Sequence, residues 1–154
     1  MRRLIILAGP PGAGKSTWAG LFKGTDYFKC SIVSRDNIRF SYLKEGDEYF
    51  KYEEKVIEDF YNKIREDLKK YQIVIADATH LTKKSRAPVI KIARELNIDI
   101  DIICFMPSLS KCIENNNKRE GLRRVPRNKL KKMYFSFEKP MIDEGFKFIS
   151  WKRS

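Results

Sequence analysis

The fold is decided by eight residues near the start of the chain: Gly9-Pro10-Pro11-Gly12-Ala13-Gly14-Lys15-Ser16. They match the pattern G-x-x-x-x-G-K-[ST], which marks a phosphate-binding loop where it follows a strand and opens a helix. Both conditions are met, because an apolar run at 4–8 precedes the loop and a helical stretch at 15–23 follows it. In such a loop Lys15 supplies a cation to the β- and γ-phosphates, and Ser16 supplies a hydroxyl to Mg²⁺. The sequence therefore predicts a site for a nucleoside triphosphate with Mg²⁺.

The rest of the chain alternates predicted strands with predicted helices. Short apolar runs predict strands at 30–33, 73–76, 98–105 and 146–149. Helical spacing of apolar residues predicts helices at 47–70, 83–96, 108–117 and 127–138, and Pro88 either starts or kinks the second of these. This alternation predicts a single α/β domain over residues 1–154. It would be a doubly wound sheet of the P-loop NTPase type, with about five parallel strands flanked by helices and a basic helical lid at about 115–127.

Composition restricts the class of protein. The length of 154 residues suits one domain, and 42% hydrophobic residues exclude a disordered chain. No apolar run approaches the ~18 residues of a membrane span. Three widely spaced cysteines, Cys30, Cys104 and Cys112, argue for a reducing compartment without disulfides or a zinc cluster, so we expect a cytoplasmic protein. The net charge of +12 suggests a polyanionic partner.

A phosphate-binding loop identifies the nucleotide phosphates and leaves the reaction open. A motor ATPase would carry a catalytic glutamate after Asp77, where Ala78 stands. A GTPase would carry Asn-Lys-x-Asp after a strand. The nearest match is Asn117-Lys118-Arg119-Glu120, which ends in glutamate and follows no strand. These departures favour a kinase.

A second motif follows the second strand: Ser34-Arg35-Asp36-Asn37-Ile38-Arg39. The carboxyl ends of parallel strands share one crevice, so Asp36 is expected to face the phosphate-binding loop and take the proton of an attacking hydroxyl. Arg39 lies on the same face of a helix and could clamp a phosphate on the acceptor. The alternative is that Ser34 or Asp36 caps a helix while the arginines are merely solvated.

Residues 118–132 contain eight Lys or Arg and one Glu. They are interpreted either as a lid that closes arginines over the transferred phosphoryl group or as a solvated charge run.

Asp77 is predicted as a second-sphere Mg²⁺ ligand or lysine partner, with a purely structural carboxylate as the alternative. His80 is expected to form hydrogen bonds in a loop. Seven aromatic side chains are expected in the core: Trp18, Tyr134, Phe135, Phe137, Phe146, Phe148 and Trp151.

Together these motifs resemble the P-loop polynucleotide 5′-kinases of the phage and end-healing type. The likeness spans almost the whole chain. It rests on residues 9–19, 34–39, 47–52, 75–79, 137–140 and 144–146, and on Lys118-Arg119 followed by Val125-Pro126. The combination of Arg-Asp-x-x-Arg with a Val-Pro lid is much more specific than the phosphate-binding loop alone.

The resemblance implies transfer of the γ-phosphate of ATP or another NTP to 5′-OH ends of DNA or RNA. The reaction would need Mg²⁺ and serve nucleic-acid repair in the cytoplasm, which is the host cytoplasm for a phage-encoded member. Asp36 would be the general base, with Lys15 and Arg119 also catalytic and Ser16 at the metal. Arg39 would hold the acceptor's 3′-phosphate, with Asp77, Val125 and Pro126 also on the acceptor side. The donor site would comprise Gly9, Pro10, Pro11, Gly12, Ala13, Gly14, Lys15, Ser16, Thr17, Arg119 and Arg123.

The sequence departs from this family at a few positions. Asn115-Asn116 stands where Arg-Asn is common, so one phosphate contact is either missing or taken over by Arg123 or Arg124. The sequence ends at Ser154 without the phosphatase domain of some relatives, so no 3′-phosphatase activity is expected. Two alternatives stay open. One is a kinase of a small hydroxylated molecule or another RNA-linked hydroxyl, and the other is a nucleic-acid-binding module that holds nucleotide without transfer.

Overall fold

A computed structural model describes residues 2–152. It contains a five-stranded, all-parallel sheet in the order β2-β3-β1-β4-β5. The strands are β1 (Arg3–Ala8), β2 (Cys30–Ser34), β3 (Ile73–Asp77), β4 (Asp99–Phe105) and β5 (Phe148–Lys152). The helices are α1 (Lys15–Gly24), α2 (Arg35–Tyr42), α3 (Glu53–Leu68), α4 (Lys83–Glu95), α5 (Leu109–Asn117) and α6 (Arg127–Phe135). The predicted α/β fold is therefore confirmed. Met1, Arg153 and Ser154, which the predicted domain also includes, lie outside the described residues.

The sheet register brings three strand ends to one edge. β1 is central, with Leu7 opposite Asp77 of β3, and Ser34 of β2 also pairs with Asp77. The segments that follow β1, β2 and β3 consequently open on the same side of the sheet. Ligands of open α/β sheets bind at such carboxyl ends.

The core consists of two apolar clusters, one on each face of the sheet. On one face Leu4 and Ile6 of β1 pack with Phe60 and Ile64 of α3 and with Val89 of α4. The other cluster consists of Ile5, Leu7, Ala19, Ile75, Phe105, Val125 and Leu130, among others. Burial on both faces explains why the inner strands read as unbroken apolar runs.

The predicted helix at 47–70 is too long at its start, since α3 begins at Glu53. Gly46 has a φ of +89°, and the backbone N–H of Lys44 donates to the Asp47 carboxylate at 2.8 Å, which closes a turn before the helix. Tyr49 and Tyr52 follow this turn with a spacing that fits a helix, but residues 49–52 form further turns before α3 begins. Pro88 lies inside α4, which starts earlier because Thr82 forms a capping box with Ser85.

Three of the aromatic residues expected in the core are exposed. Phe135, Phe148 and Trp151 keep 74%, 57% and 45% of their surface accessible, so their prediction was wrong. Phe148 and Trp151 belong to β5, an edge strand that pairs only with β4, so fewer neighbours cover them. Phe146, predicted to begin this strand, is buried just before it.

No helix within residues 2–152 has the length and apolar character that a bilayer crossing requires.

Candidate active site

The phosphate-binding loop packs tightly between neighbouring elements. A Cβ on Gly9 would lie 2.3 Å from the carbonyl oxygen of Phe105, and one on Gly12 would lie 2.6 Å from that of Cys112. Both positions therefore require glycine. Asn115 of α5 also donates to the Gly12 carbonyl at 2.8 Å, which ties the loop to the base of the predicted lid. These contacts hold the loop at the N-terminus of α1, where backbone N–H groups are available to phosphate oxygens.

Lys15 is buried inside this loop. Its Nζ donates to the carbonyl oxygens of Gly9 and Pro10, both at 2.8 Å. Burial lowers the pKa of Lys15, while the nearby carboxylates of Asp77 and Asp36 raise it. The ammonium is thus held by the loop itself, and Lys15 lines the cleft beside it.

Ser16 and Asp77 form the second polar pair of the site. Ser16 Oγ donates to Asp77 Oδ2 at 2.7 Å, which joins the start of α1 to the end of β3. Burial raises the pKa of Asp77, and Lys15 and Ser16 act in the opposite direction. Within residues 2–152 no three His, Cys, Asp or Glu side chains cluster to hold a metal by themselves. One hydroxyl and one carboxylate suit Mg²⁺, which commonly takes its other ligands from water and substrate phosphates.

Asp36 faces the cleft because Ser34 performs the capping. The backbone N–H of Asn37 donates to Ser34 Oγ at 3.1 Å, so the N-terminus of α2 does not need the Asp36 carboxylate. That carboxylate instead accepts a hydrogen bond from Arg39 Nη1 at 2.5 Å. The capping alternative thus holds for Ser34, while the side chain of Asp36 is partly exposed toward the cleft.

Arg39 is 5% exposed and is bound on two edges. Its Nε and Nη2 donate to the Glu53 carboxylate at 2.7–3.1 Å, and its Nη1 contacts both Asp36 and the hydroxyl of Tyr49. Burial raises the pKa of Tyr49 to about 12, so its hydroxyl is protonated at neutral pH. Arg39 reaches the cleft as predicted, but most of its hydrogen-bond donors already serve carboxylates.

These groups surround two adjoining cavities. A cleft of about 490 Å³ is lined by the phosphate-binding loop, Asp36, Arg39, Glu53 and Asp77, together with other residues. A second cavity of about 290 Å³ is lined by Ser16, Ile32, Ser34, Asp36, Asn37, Phe40, Asp77, Arg119 and Arg123. Arg119 lines both cavities, so the structure brings it to the predicted catalytic residues.

The predicted lid contains a short 3₁₀ helix, Gly121–Arg123, between α5 and α6. Its arginines differ in their contacts. Arg123 places its guanidinium 4.5 Å from the ring centroid of Phe40. Arg124 donates to the carbonyl oxygens of Arg119 and Asn117, both at 3.0 Å, and so serves the lid itself.

Val125 and Pro126 do not line either cavity. Val125 is 1% exposed and packs in the second core cluster. Its backbone is held by Asn116, whose side chain donates to the Val125 carbonyl at 2.8 Å and accepts from its N–H at 3.0 Å. A role for these two residues at the acceptor base stays a prediction that this arrangement of the lid does not support.

Three residues around this site carry no signal in the sequence: Asn116 and Arg86, which are buried, and Glu53, which is half-buried. Arg86 is fully buried, donates to the His80 carbonyl at 3.0 Å and pairs with Glu144. His80 has a φ of +42° and its Nδ1 lies 2.7 Å from the carbonyl oxygen of Leu7. The contact with Leu7 is a loop hydrogen bond of the kind expected for His80, and burial lowers the pKa of His80 to about 3.

Sheet order, phosphate-binding loop and cleft together define a nucleotide-binding domain with the fold of P-loop kinases. A family model described as an AAA domain matches residues 4–140, most of the chain, so the chain belongs to that family.

Three similar proteins show the range of this fold. The chain is 31% identical over 144 residues to the L-seryl-tRNA(Sec) kinase of Methanococcus maripaludis, covering 89% of this chain and 53% of that protein. A chain of the solved Pnkp1/Rnl/Hen1 RNA repair complex has a TM-score of 0.74 and 27% identity, over 88% of this chain and 43% of its own length. Chaetomium thermophilum Kti12, solved with ADP-AlF3, has a TM-score of 0.73 at 16% identity, over 97% and 88% of the two chains, and shows the fold alone. The chain thus spans about half the length of the first two.

Proposed function

We propose that this protein is an ATP-dependent polynucleotide kinase that phosphorylates the 5′-OH end of DNA or RNA. The observation that carries the proposal is the position of Asp36. Its carboxylate opens on the same cleft as Lys15, Ser16 and Asp77, and Arg119 lines that cleft as well. A module that only binds nucleotide needs no such carboxylate beside the phosphate-binding loop.

The site residues account for the steps of the transfer. Asp36 accepts the proton of the acceptor hydroxyl, whose oxygen attacks the γ-phosphorus while the bond to the β–γ bridging oxygen breaks and ADP leaves. Lys15 and Arg119 neutralise the charge that spreads over the phosphoryl oxygens in the transition state. Ser16 and Asp77 would hold Mg²⁺, which when bound neutralises charge on the β- and γ-phosphates. Asp36 then returns the proton to solvent.

Charge and likeness support a polynucleotide acceptor. The chain carries a net charge of +12, and Arg119 and Arg123 line the cavity beside Asp36. Such a surface attracts a phosphate backbone. The 27% identity to a chain of an RNA repair complex points the same way. The three cysteines are buried free thiols, consistent with the proposed cytoplasmic location.

One observation favours a second candidate, the phosphorylation of another hydroxyl linked to RNA. The chain is 31% identical to a seryl-tRNA kinase over 89% of its own length. In that reaction Asp36 would deprotonate the hydroxyl of an aminoacyl group, and the rest of the site would act unchanged.

A transfer assay with γ-labelled ATP separates the two candidates. The acceptors are 5′-OH DNA, 5′-OH RNA, a nucleoside, its 3′-phosphate and seryl-tRNA. Label on the 5′-OH oligonucleotides supports the first proposal, and label on seryl-tRNA alone supports the second. ATP binding without transfer to any acceptor would contradict both.

A further inference from the structure

Two arginines of α2 line the same cleft in different surroundings. Arg39 donates Nε and Nη2 to Glu53 at 2.7–3.1 Å and Nη1 to Asp36 at 2.5 Å. The ring centroids of Tyr49 and Phe50 lie 4.8 and 5.3 Å from its Cζ. A phosphate that bound this guanidinium bidentately would have to displace a carboxylate.

Arg35 has no such partners. Within residues 2–152 no carboxylate lies within ion-pair distance of its guanidinium, and its buried Nε has no hydrogen-bond partner. The ring of Phe60, with its centroid 4.6 Å from the Cζ, supports the guanidinium plane. Burial lowers the pKa of Arg35, yet a guanidinium stays protonated in proteins. The cleft therefore contains a largely desolvated cation without an ion-pair partner of its own, while the carboxylates of Glu53 and Asp36, which pair with Arg39, act on its pKa from farther away and raise it.

We propose that Arg35 binds the anionic group of the acceptor and that Arg39 acts as a positioning residue for Asp36. The inference rests on the proposed function, because a polynucleotide end presents both a 5′-OH and the phosphate on the 3′ side of the same nucleotide. A guanidinium that stacks on an aromatic ring and donates no hydrogen bond to another side chain is suited to bidentate binding of phosphate. Arg39, fixed by Glu53, holds the Asp36 carboxylate toward the attacking hydroxyl.

The first test compares a nucleoside 3′-phosphate with the plain nucleoside as acceptor. Wild type is expected to favour the 3′-phosphate about ten- to a hundredfold in kcat/KM, the size expected of a charged hydrogen-bonded contact. Arg35→Gln should lose this preference and bind the nucleoside 3′-phosphate correspondingly more weakly in calorimetry without ATP. Arg65→Gln is the matched control, since Arg65 pairs with Glu95 on the outer surface. It should keep both properties.

The second test separates the two arginines. Arg39→Gln should lower kcat with both acceptors and leave the KM for nucleoside 3′-phosphate and the preference unchanged. Loss of the preference in Arg39→Gln with its retention in Arg35→Gln would overturn the proposal.

If Arg35→Gln fails to fold, Arg35→Lys replaces it. Weaker binding of the nucleoside 3′-phosphate by Arg35→Lys supports the proposal, and unchanged binding overturns it. A wild type that transfers phosphate to no 5′-OH acceptor contradicts the proposed function, and calorimetry with the Arg35 variants then decides the Arg35 assignment.

Discussion

Asn116 and Val125 close the base of the lid through a reciprocal pair of hydrogen bonds. The Asn116 amide donates to the Val125 carbonyl at 2.8 Å, and the Val125 N–H donates to the Asn116 oxygen at 3.0 Å. The nine-residue separation means that both ends of the segment carrying Arg119 and Arg123 are fixed at one point. The lid arginines are therefore presented from an anchored loop.

Replacing Asn116 tests this anchor. Asn116→Ala leaves two buried backbone groups without partners, so the free energy of unfolding should fall by about 1–3 kcal/mol. Amide exchange at residues 118–125 should become faster, and kcat should fall because Arg119 loses its fixed position. Asn117→Ala is the control, because the Asn117 side chain is exposed. Equal effects of both substitutions would contradict a specific role for Asn116.

Arg119 is expected to act on the transition state. Arg119→Ala should lower kcat more than it raises the KM for ATP, since charge on the phosphoryl oxygens develops during transfer. Steady-state kinetics with varied ATP measure both parameters. Lys118→Ala removes a neighbouring exposed charge and should change neither appreciably. An unchanged kcat in Arg119→Ala would shift the role to Arg123, which lines the adjoining cavity.

His80 gives the protein a pH-dependent stability. Burial lowers the pKa of His80 to about 3 in the folded protein, from 6.5 in the unfolded chain. Between these values the unfolded chain binds the proton more tightly, so stability falls as the pH drops below about 6.5. His80→Asn suits the positive φ and keeps a donor for Leu7.

Urea denaturation at pH 7 and pH 5 measures this contribution. From pH 7 to pH 5, wild type should lose about 2 kcal/mol more of its free energy of unfolding than His80→Asn does. Comparing the two proteins removes the contribution of the carboxylates, which both share. Identical pH dependence would show that His80 is already protonated in the fold or does not titrate differently on unfolding.

Lys15 is predicted to serve catalysis more than stability. Lys15→Ala should reduce phosphoryl transfer by at least about a hundredfold, because it removes a preorganised cation from the transferring phosphates. Its unfolding free energy should change little, because relief from burying the ammonium, which lowers the pKa of Lys15, offsets the loss of its hydrogen bonds to the carbonyls of Gly9 and Pro10. Lys23→Ala, an exposed change near the end of the same helix, is the control. Near-normal transfer by Lys15→Ala would rule out this loop as the donor site.

Local sequence signals predicted the fold and the centre of the site. The phosphate-binding loop, the apolar strands and the position of Asp36 after a strand each depend on residues close together in the sequence. The contacts made by Glu53, Asn116 and Arg86 could not be predicted in this way. Glu53 reaches Arg39 only because α3 packs beside α2, and a single buried asparagine or arginine has no distinguishing local pattern. Tyr49 misled because its helical spacing continues into α3, although residues 49–52 form turns before that helix begins.

The proposed function requires Asp36 to be the general base for transfer to a 5′-OH. Transfer of labelled γ-phosphate from ATP to a 5′-OH oligonucleotide is compared for wild type, Asp36→Asn and Asp26→Asn, the last removing an exposed carboxylate away from the site. Wild type and Asp26→Asn should label the 5′ end equally. Asp36→Asn should be about 10²- to 10⁴-fold slower in kcat while its affinity for ATP is nearly unchanged, because the amide keeps the shape of the carboxylate but cannot accept the proton. Labelling by folded Asp36→Asn within a few-fold of wild type would show that Asp36 is not the general base.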